Sequence, residues 1–197
     1  MPRTQAQRAV SLKTPLGQDK LLVQRFRIND QLGRLFQIDL SLASEDDNIK
    51  ADDLIGQSVT ITLDLDDTGE KTRHFNGYVI RFGMEDAAGQ LPEYSMTVAP
   101  FIWFLGKTSD CRIWQGEKVP DIVQALIKEN GFNHFKISLY ESYATRDFCV
   151  QYRETALNFV SRLMEEEGIY YFFTHTDGSH TMVLADSSSS HANVATL

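Results

Sequence analysis

Cysteine is scarce: Cys111 and Cys149 are the two thiols in 197 residues. Two thiols make no disulfide framework and lie at no metal-ligand spacing, so both are expected reduced and mostly buried. Long apolar runs are missing too, since nothing approaches the ~20 residues a membrane-crossing helix needs. Residues 1–8 carry charge without a following apolar stretch, so no signal peptide is expected. Positive charge is in deficit, with 19 Lys and Arg against 27 Asp and Glu and a net charge of −8. Duplex DNA and anionic membranes demand a basic footprint, so neither nucleic acid nor a membrane is expected as a partner. Neither G-x-G-x-x-G nor G-x-x-x-x-G-K-[ST] occurs, which removes the phosphate-cradling loops. Among the five histidines no pair shows the zinc-protease spacing. His175 and His180 flank a turn but lack further ligands, and read as exposed turn residues. No metal and no cofactor is expected.

What is present is ordinary for a soluble globular chain, 42% hydrophobic and 11% aromatic. The first hundred residues read as strands. Residues 10–13, 21–28 and 35–42 are extended, and Phe36, Ile38, Leu40 and Leu42 alternate with polar residues, as in a strand wet on one face. One helical turn at 51–55 stops at Gly56. Val59, Ile61, Leu63 and Leu65 form the cleanest alternation, followed by a hairpin loop at 67–70. Its partner runs from 72 to 84 with Tyr78, Ile80, Phe82 and Met84 on one face, and Asn76-Gly77 suggests a bulge. A loop with Gly89 precedes Tyr94, Met96 and Val98. Consecutive strands with short links indicate an antiparallel sheet, and closure into a small barrel would remove its edges.

Character changes after Pro100. Phe101-Ile102-Trp103-Phe104-Leu105 is continuously apolar and reads as a buried seam between domains, with an exposed docking patch as the alternative. Residues 120–130 predict a helix, with Pro120 in its first turn, Ile122, Val123, Leu126 and Ile127 as its buried stripe, and Gly131 ending it. Residues 135–139 read as a weak strand and 140–145 as a loop. The organising stretch is 148–173, a strand, a helix and a strand. Thr155 is its expected N-cap, Ala156, Leu157, Val160, Leu163 and Met164 its apolar face, and Gly168 its terminator. Residues 169–173 are apolar on both faces and should be covered on both sides, with 180–184 as a hairpin partner. The fold class expected is β-rich α+β. A small antiparallel barrel spans 1–106, an α+β unit with two helices 107–186, and a linker 187–197.

Enzyme chemistry finds little purchase. No G-x-S-x-G elbow occurs, and consecutive Glu165, Glu166 and Glu167 point in different directions, so they make no opposed carboxylate pair. The cluster reads first as a solvated helix end, with a structural or interface role as the alternative, because acidic residues at a helix C-terminus oppose its dipole and call for compensation. Glu167 returns to the apolar stripe of the helical wheel. It is expected at least half buried and met by a cation or backbone amides, unless the last turn frays. Tyr152, Tyr170, Tyr171, Phe172 and Phe173 read as core or subunit interface, with a ligand-stacking platform as the alternative. The candidate structural or interface residues are Tyr152, Arg153, Glu154, Arg162, Glu165, Glu166, Glu167, Tyr170 and Tyr171, and none is assigned a catalytic role.

The same stretch carries a resemblance. Gln151-Tyr152-Arg153-Glu154, Arg162-Leu163, Glu165-Glu166-Glu167-Gly168 and Ile169-Tyr170-Tyr171 are similar to a signature of the VgrG spike proteins of the type VI secretion system. LGRLFQIDL at 32–40, FNGYV at 75–79, TSDCRIW at 108–114 and VPDIV at 119–123 resemble that family in the same order. The resemblance implies a non-enzymatic base domain of a spike related to phage tail hubs. It also implies a homotrimer in the full-length protein, seated on the hexameric tube protein Hcp, with effectors, baseplate and a PAAR tip as further partners. Such a protein would be cytoplasmic before firing and then secreted or injected. Because the chain ends at Leu197, a fragment of the base or a truncated member, monomeric or weakly associated by itself, is expected. The alternatives that accompany the resemblance are a cell-wall hydrolase-type enzyme, since some spike proteins carry such an activity, and the hub of a contractile phage tail with the same fold.

Overall fold

Period-two alternation builds the first half of the chain into strands β1 (Val10–Lys13), β2 (Leu22–Asn29), β3 (Gln37–Ala43), β4 (Ser58–Asp64), β5 (Thr72–Glu85) and β6 (Glu93–Ala99). The computed structural model describes residues 3–6, 8–66, 70–85 and 91–191. The six strands form one sheet in the order β1-β4-β5-β6-β3-β2, with antiparallel neighbours. Its two edge strands, β1 and β2, also lie close together, so the sheet curls into a half-barrel. Ile38, Leu42, Ile61, Val79 and Val98 are fully buried inside it. Among the described residues this half contains no α-helix, only a 3-10 turn at Ala51–Asp53. The expected loop at 67–70 is described only at Glu70, whose N–H and that of Lys71 donate to Asp66. Residues 67–69 and the expected Gly89 loop lie outside the described residues.

The bulge in β5 is not at Asn76-Gly77, where pairing with β4 is continuous, but between Val79 and Arg81 opposite β6. That extra residue shifts the alternation, so Val79 and Phe82 point inward while Met84 is exposed. The expected single face of Tyr78, Ile80, Phe82 and Met84 is therefore broken. Glycine at 77 answers a packing need instead. A Cβ there would sit 2.6 Å from Val98 Cγ1 and 2.9 Å from the Ala99 carbonyl oxygen.

The second half holds β7 (Ser109–Trp114), α1 (Val119–Glu129), β8 (Phe135–Ser138), β9 (Cys149–Thr155), α2 (Ala156–Glu166), β10 (Tyr170–Thr176) and β11 (Ser179–Ala185). β7 and β9 form an antiparallel ribbon, and β10-β11-β8 a three-stranded sheet in which β8 runs parallel to β11. Ile122, Val123, Leu126 and Ile127 are buried on α1, and Phe159, Val160, Leu163 and Met164 on α2. Phe159 takes the core place expected of Leu157, which is half-buried. Phe101–Lys107 forms a 3-10 helix that buries Phe101, Ile102 and Leu105. Cys149 is buried as expected, whereas Cys111 is exposed because it sits on the outward face of β7. Tyr170 to Phe173 are all buried or half-buried, in line with a strand covered on both sides.

The backbone divides into two compact units. The first takes the described residues within Met1–Gln31, Leu35–Pro100 and His175–His180, the second those within Leu32–Arg34, Phe101–Thr174 and Thr181–Leu197. Residues 187–191, expected as linker, make polar contacts with the rest of their unit. Ser188–Ser190 is a 3-10 turn, and Ser190 Oγ donates to the Ser138 carbonyl at 2.8 Å. The rest of that expected linker, 192–197, lies outside the described residues.

Candidate interface site

Helix α2 brings the acidic candidates together. Its start is fixed by Thr155, whose hydroxyl accepts from the Asn158 N–H at 3.1 Å. Its end is closed by Glu167, whose N–H donates to the Leu163 carbonyl, followed by Gly168 at φ 71°. Three carboxylates in the last turn face the negative end of the helix dipole, an arrangement that needs cations. The fold supplies them from three directions. Arg162 donates to Glu154 at 2.6 Å and to Glu166 one turn on at 3.1 Å. Arg146 donates to Glu166 at 2.8 Å and to Glu167 at 2.6 Å. Arg34 lies 3.5 Å from the exposed Glu165.

The electrostatics follow from these pairings. The hydrogen bond from Arg146, then that from Arg162, holds the Glu166 carboxyl below its ordinary value against some desolvation. Hydrogen bonds to Glu167 and Glu166 push Arg146 up, and the bond to Glu154 does the same for Arg162. Glu167 is 22% exposed and meets a cation, in agreement with the wheel, and the last turn does not fray. Arg146 and Arg34 carried no signal in the sequence. Each is a lone arginine in a loop, and only the fold brings it to the helix end. Arg146 is held there by its backbone, which exchanges hydrogen bonds with Gly116 and Glu117.

The aromatic candidates separate. Tyr171 is 5% exposed, and burial pushes its hydroxyl up to about 12. Tyr170 donates to the Ser187 carbonyl at 2.9 Å, and its ring stacks on His191. Both line a shallow hollow of about 160 Å³ with Arg34 and Glu165. Tyr152 stands apart on the β7–β9 ribbon, 64% exposed, with the Arg153 guanidinium 5.2 Å from its ring centre. Arg153 is the extra residue of a bulge opposite Asp110 and Cys111, with a left-handed φ of 51°. A further convergence escaped the sequence. The backbone N–H groups of Tyr140 and Glu141 and the Tyr143 hydroxyl all donate to Asp186. Desolvation raises the Asp186 carboxyl, yet these donors outweigh it and hold the group below its usual range. The same burial and the bond to Asp186 push Tyr143 up.

His175 and His180 are not exposed turn residues. In the first unit they pack among Phe36, Phe75 and Tyr78, because the turn between them lies against β4 and β5. Nδ1 of each ring meets Asn76, which is 2% exposed. Among the described residues no three His, Cys, Asp or Glu side chains converge as a metal site would require.

Comparison with known proteins agrees with this architecture. The family described as phage tail baseplate hub (GPD) matches residues 29–197. The chain is 42% identical over 192 residues to the type VI secretion system spike protein VgrG1c of Pseudomonas aeruginosa, covering 98% of this chain and 26% of that protein. Identity to VgrG1b of the same organism is also 42%, over 97% of this chain and 26% of the relative. The chain thus spans about a quarter of the length of these relatives. Among solved structures, the E. coli c3393 protein superposes with a TM-score of 0.80 at 26% identity, over 91% of this chain and 50% of that one. It is described as a type VI secretion component with structural similarity to the T4 bacteriophage tail proteins gp27 and gp5. A curled antiparallel half-barrel followed by an α+β unit, matched over 29–197 by the hub family, places the chain in the phage tail baseplate hub family.

Proposed function

We propose that this chain is a structural part of the base of a type VI secretion spike, which seats the spike on a tube of Hcp rings and so helps deliver effectors. The observation that carries the reading is the similarity to VgrG1c over nearly the whole chain together with the hub fold. In this reading the full-length protein is a homotrimer, and baseplate, PAAR tip and effectors are met through its other parts. The arginine-bridged end of α2 serves to hold that unit rigid. The test is a pull-down in which the parent protein is immobilised and offered assembled Hcp rings. Retention of Hcp supports the reading, and failure to retain it removes the docking role.

The hub of a contractile phage tail is a second reading, favoured by the family match itself. It differs in the tube protein that would be retained. A cell-wall hydrolase has less support, because Glu165, Glu166 and Glu167 each face an arginine. Dye release from labelled peptidoglycan, abolished by Glu165→Gln or Glu166→Gln, would reverse that judgement.

A further inference from the structure

Among the described residues β6 pairs with β5 from Tyr78 onward, and no named strand pairs with the earlier part of β5 on that side. A buried backbone there still needs its hydrogen bonds. Asn76 finds them at the tip of the β10–β11 hairpin, residues 175–180. Its N–H donates to His175 Nδ1 at 3.1 Å, which requires that nitrogen to be unprotonated. The Asn76 side chain extends the lock. Its Oδ1 lies 2.8 Å from His180 Nδ1, and its Nδ2, with two hydrogens to donate, lies 3.0 Å from Ser58 Oγ, 3.0 Å from the Val59 carbonyl and 2.9 Å from Thr60 Oγ1. Thr60 Oγ1 accepts in turn from the Gly178 N–H at 3.2 Å.

We propose that His175 is a pH-operated latch, which holds the 175–180 turn against β4 and β5 at neutral pH and releases it in acid. Protonation of Nδ1 turns the acceptor of the Asn76 N–H into a donor. The ring could then face only the Asn76 carbonyl, 3.2 Å away, leaving a buried N–H without an acceptor. A cation would also be placed between the rings of Phe36 and Phe75.

The charged and titratable surroundings favour this direction. Arg73 on β5 repels a charged His175. His74 on the same strand is occupied by Thr62 and Thr72. From β1, Lys13 reaches Asp177 in the turn at 3.3 Å, an exposed pair of little strength. His180 and Tyr78 are the remaining neighbours, their rings 5.9 Å apart. Burial, the largest cause, outweighs the hydrogen bond to the Asn76 carbonyl and, with Arg73 adding to it, lowers His175 from 6.5 to about 4. The sign follows. Between those values the released turn binds the proton and the latched one does not, so latching is complete above pH 6.5 and is lost as pH falls towards 4. From pH 7 to 5 the opening constant should rise roughly 20-fold.

Hydrogen exchange measured by mass spectrometry from pH 7 to 5, corrected for intrinsic rates, tests this. The expected result is increased opening in peptides covering 72–78 and 174–181, unchanged protection at Leu40 and Met96, and no such increase in His175→Gln. A flat profile in the wild-type protein, an equal rise in the variant, or parallel loss of protection at Leu40 and Met96 would overturn the proposal. Should the variant fail to fold, NMR titration of the wild-type ring decides. A His175 that stays neutral well below pH 6 supports the latch, and one that titrates near 6.5 sinks it.

Discussion

Arg146 Nη2 lies 2.6 Å from Glu167 Oε1, with both side chains about three-quarters covered, while Arg146 Nη1 holds Glu166 at 2.8 Å. One guanidinium therefore neutralises two of the three carboxylates at the wrong end of a helix dipole.

Removing the better-covered partner should tell. Glu167→Ala leaves Arg146 part-buried with one bond fewer, and should cost about 2 kcal/mol, below the 3–5 of a fully buried pair. Glu165→Ala breaks only an exposed contact to Arg34 and should stay within about 0.5 kcal/mol. Urea midpoints for the two variants measure the difference, and equal small shifts would contradict the assignment.

Acid should act on the same cluster. Glu166 is held below its ordinary value of 4.5, so its contribution is present above that pH and fades as pH falls through the lowered value. Glu166→Gln should therefore lower stability at pH 7 and leave a shallower decline below pH 4.5. Chemical denaturation at stepped pH gives the slope, and an unchanged slope would count against the coupling.

Two glycines of β5 should respond oppositely. Gly77→Ala drives a methyl to 2.6 Å from Val98 Cγ1 and 2.9 Å from the backbone oxygen of Ala99. Overpacking of this kind costs about 1–3 kcal/mol, visible as a lower Tm. Around Gly83 no described atom beyond the glycine and its two chain neighbours lies within 4 Å of the added carbon, so Gly83→Ala should be neutral or slightly stabilising.

At the head of α2, Thr155→Ala removes the acceptor of the Asn158 N–H and should cost about 1 kcal/mol. Thr155→Ser keeps the acceptor and should recover most of it. A thermal melt of the pair separates loss of the cap from loss of the methyl group.

Most of the secondary structure was legible because it depends on near neighbours. The alternation of Ile38, Leu40 and Leu42, the stripe of α1, the Thr155 cap and the Gly168 stop all act within a turn or along one strand. Even the burial of Glu167 could be read from a helical wheel, because its angle to Val160 and Leu163 is local. A clear local failure was Asn76-Gly77. A glycine inside a strand signals either a bulge or a close approach, and periodicity does not distinguish them.

What sequence by itself determined was therefore the type and order of the elements, and a residue pattern similar to one family. Tertiary structure alone decided which groups meet across the chain. Arg146 lies 21 residues from Glu167, and His180 lies 104 from Asn76. Pairings at such separations leave no periodicity in the chain. Each is set by where two distant backbones come to rest, and by the need of a buried carboxylate or amide for a partner once there.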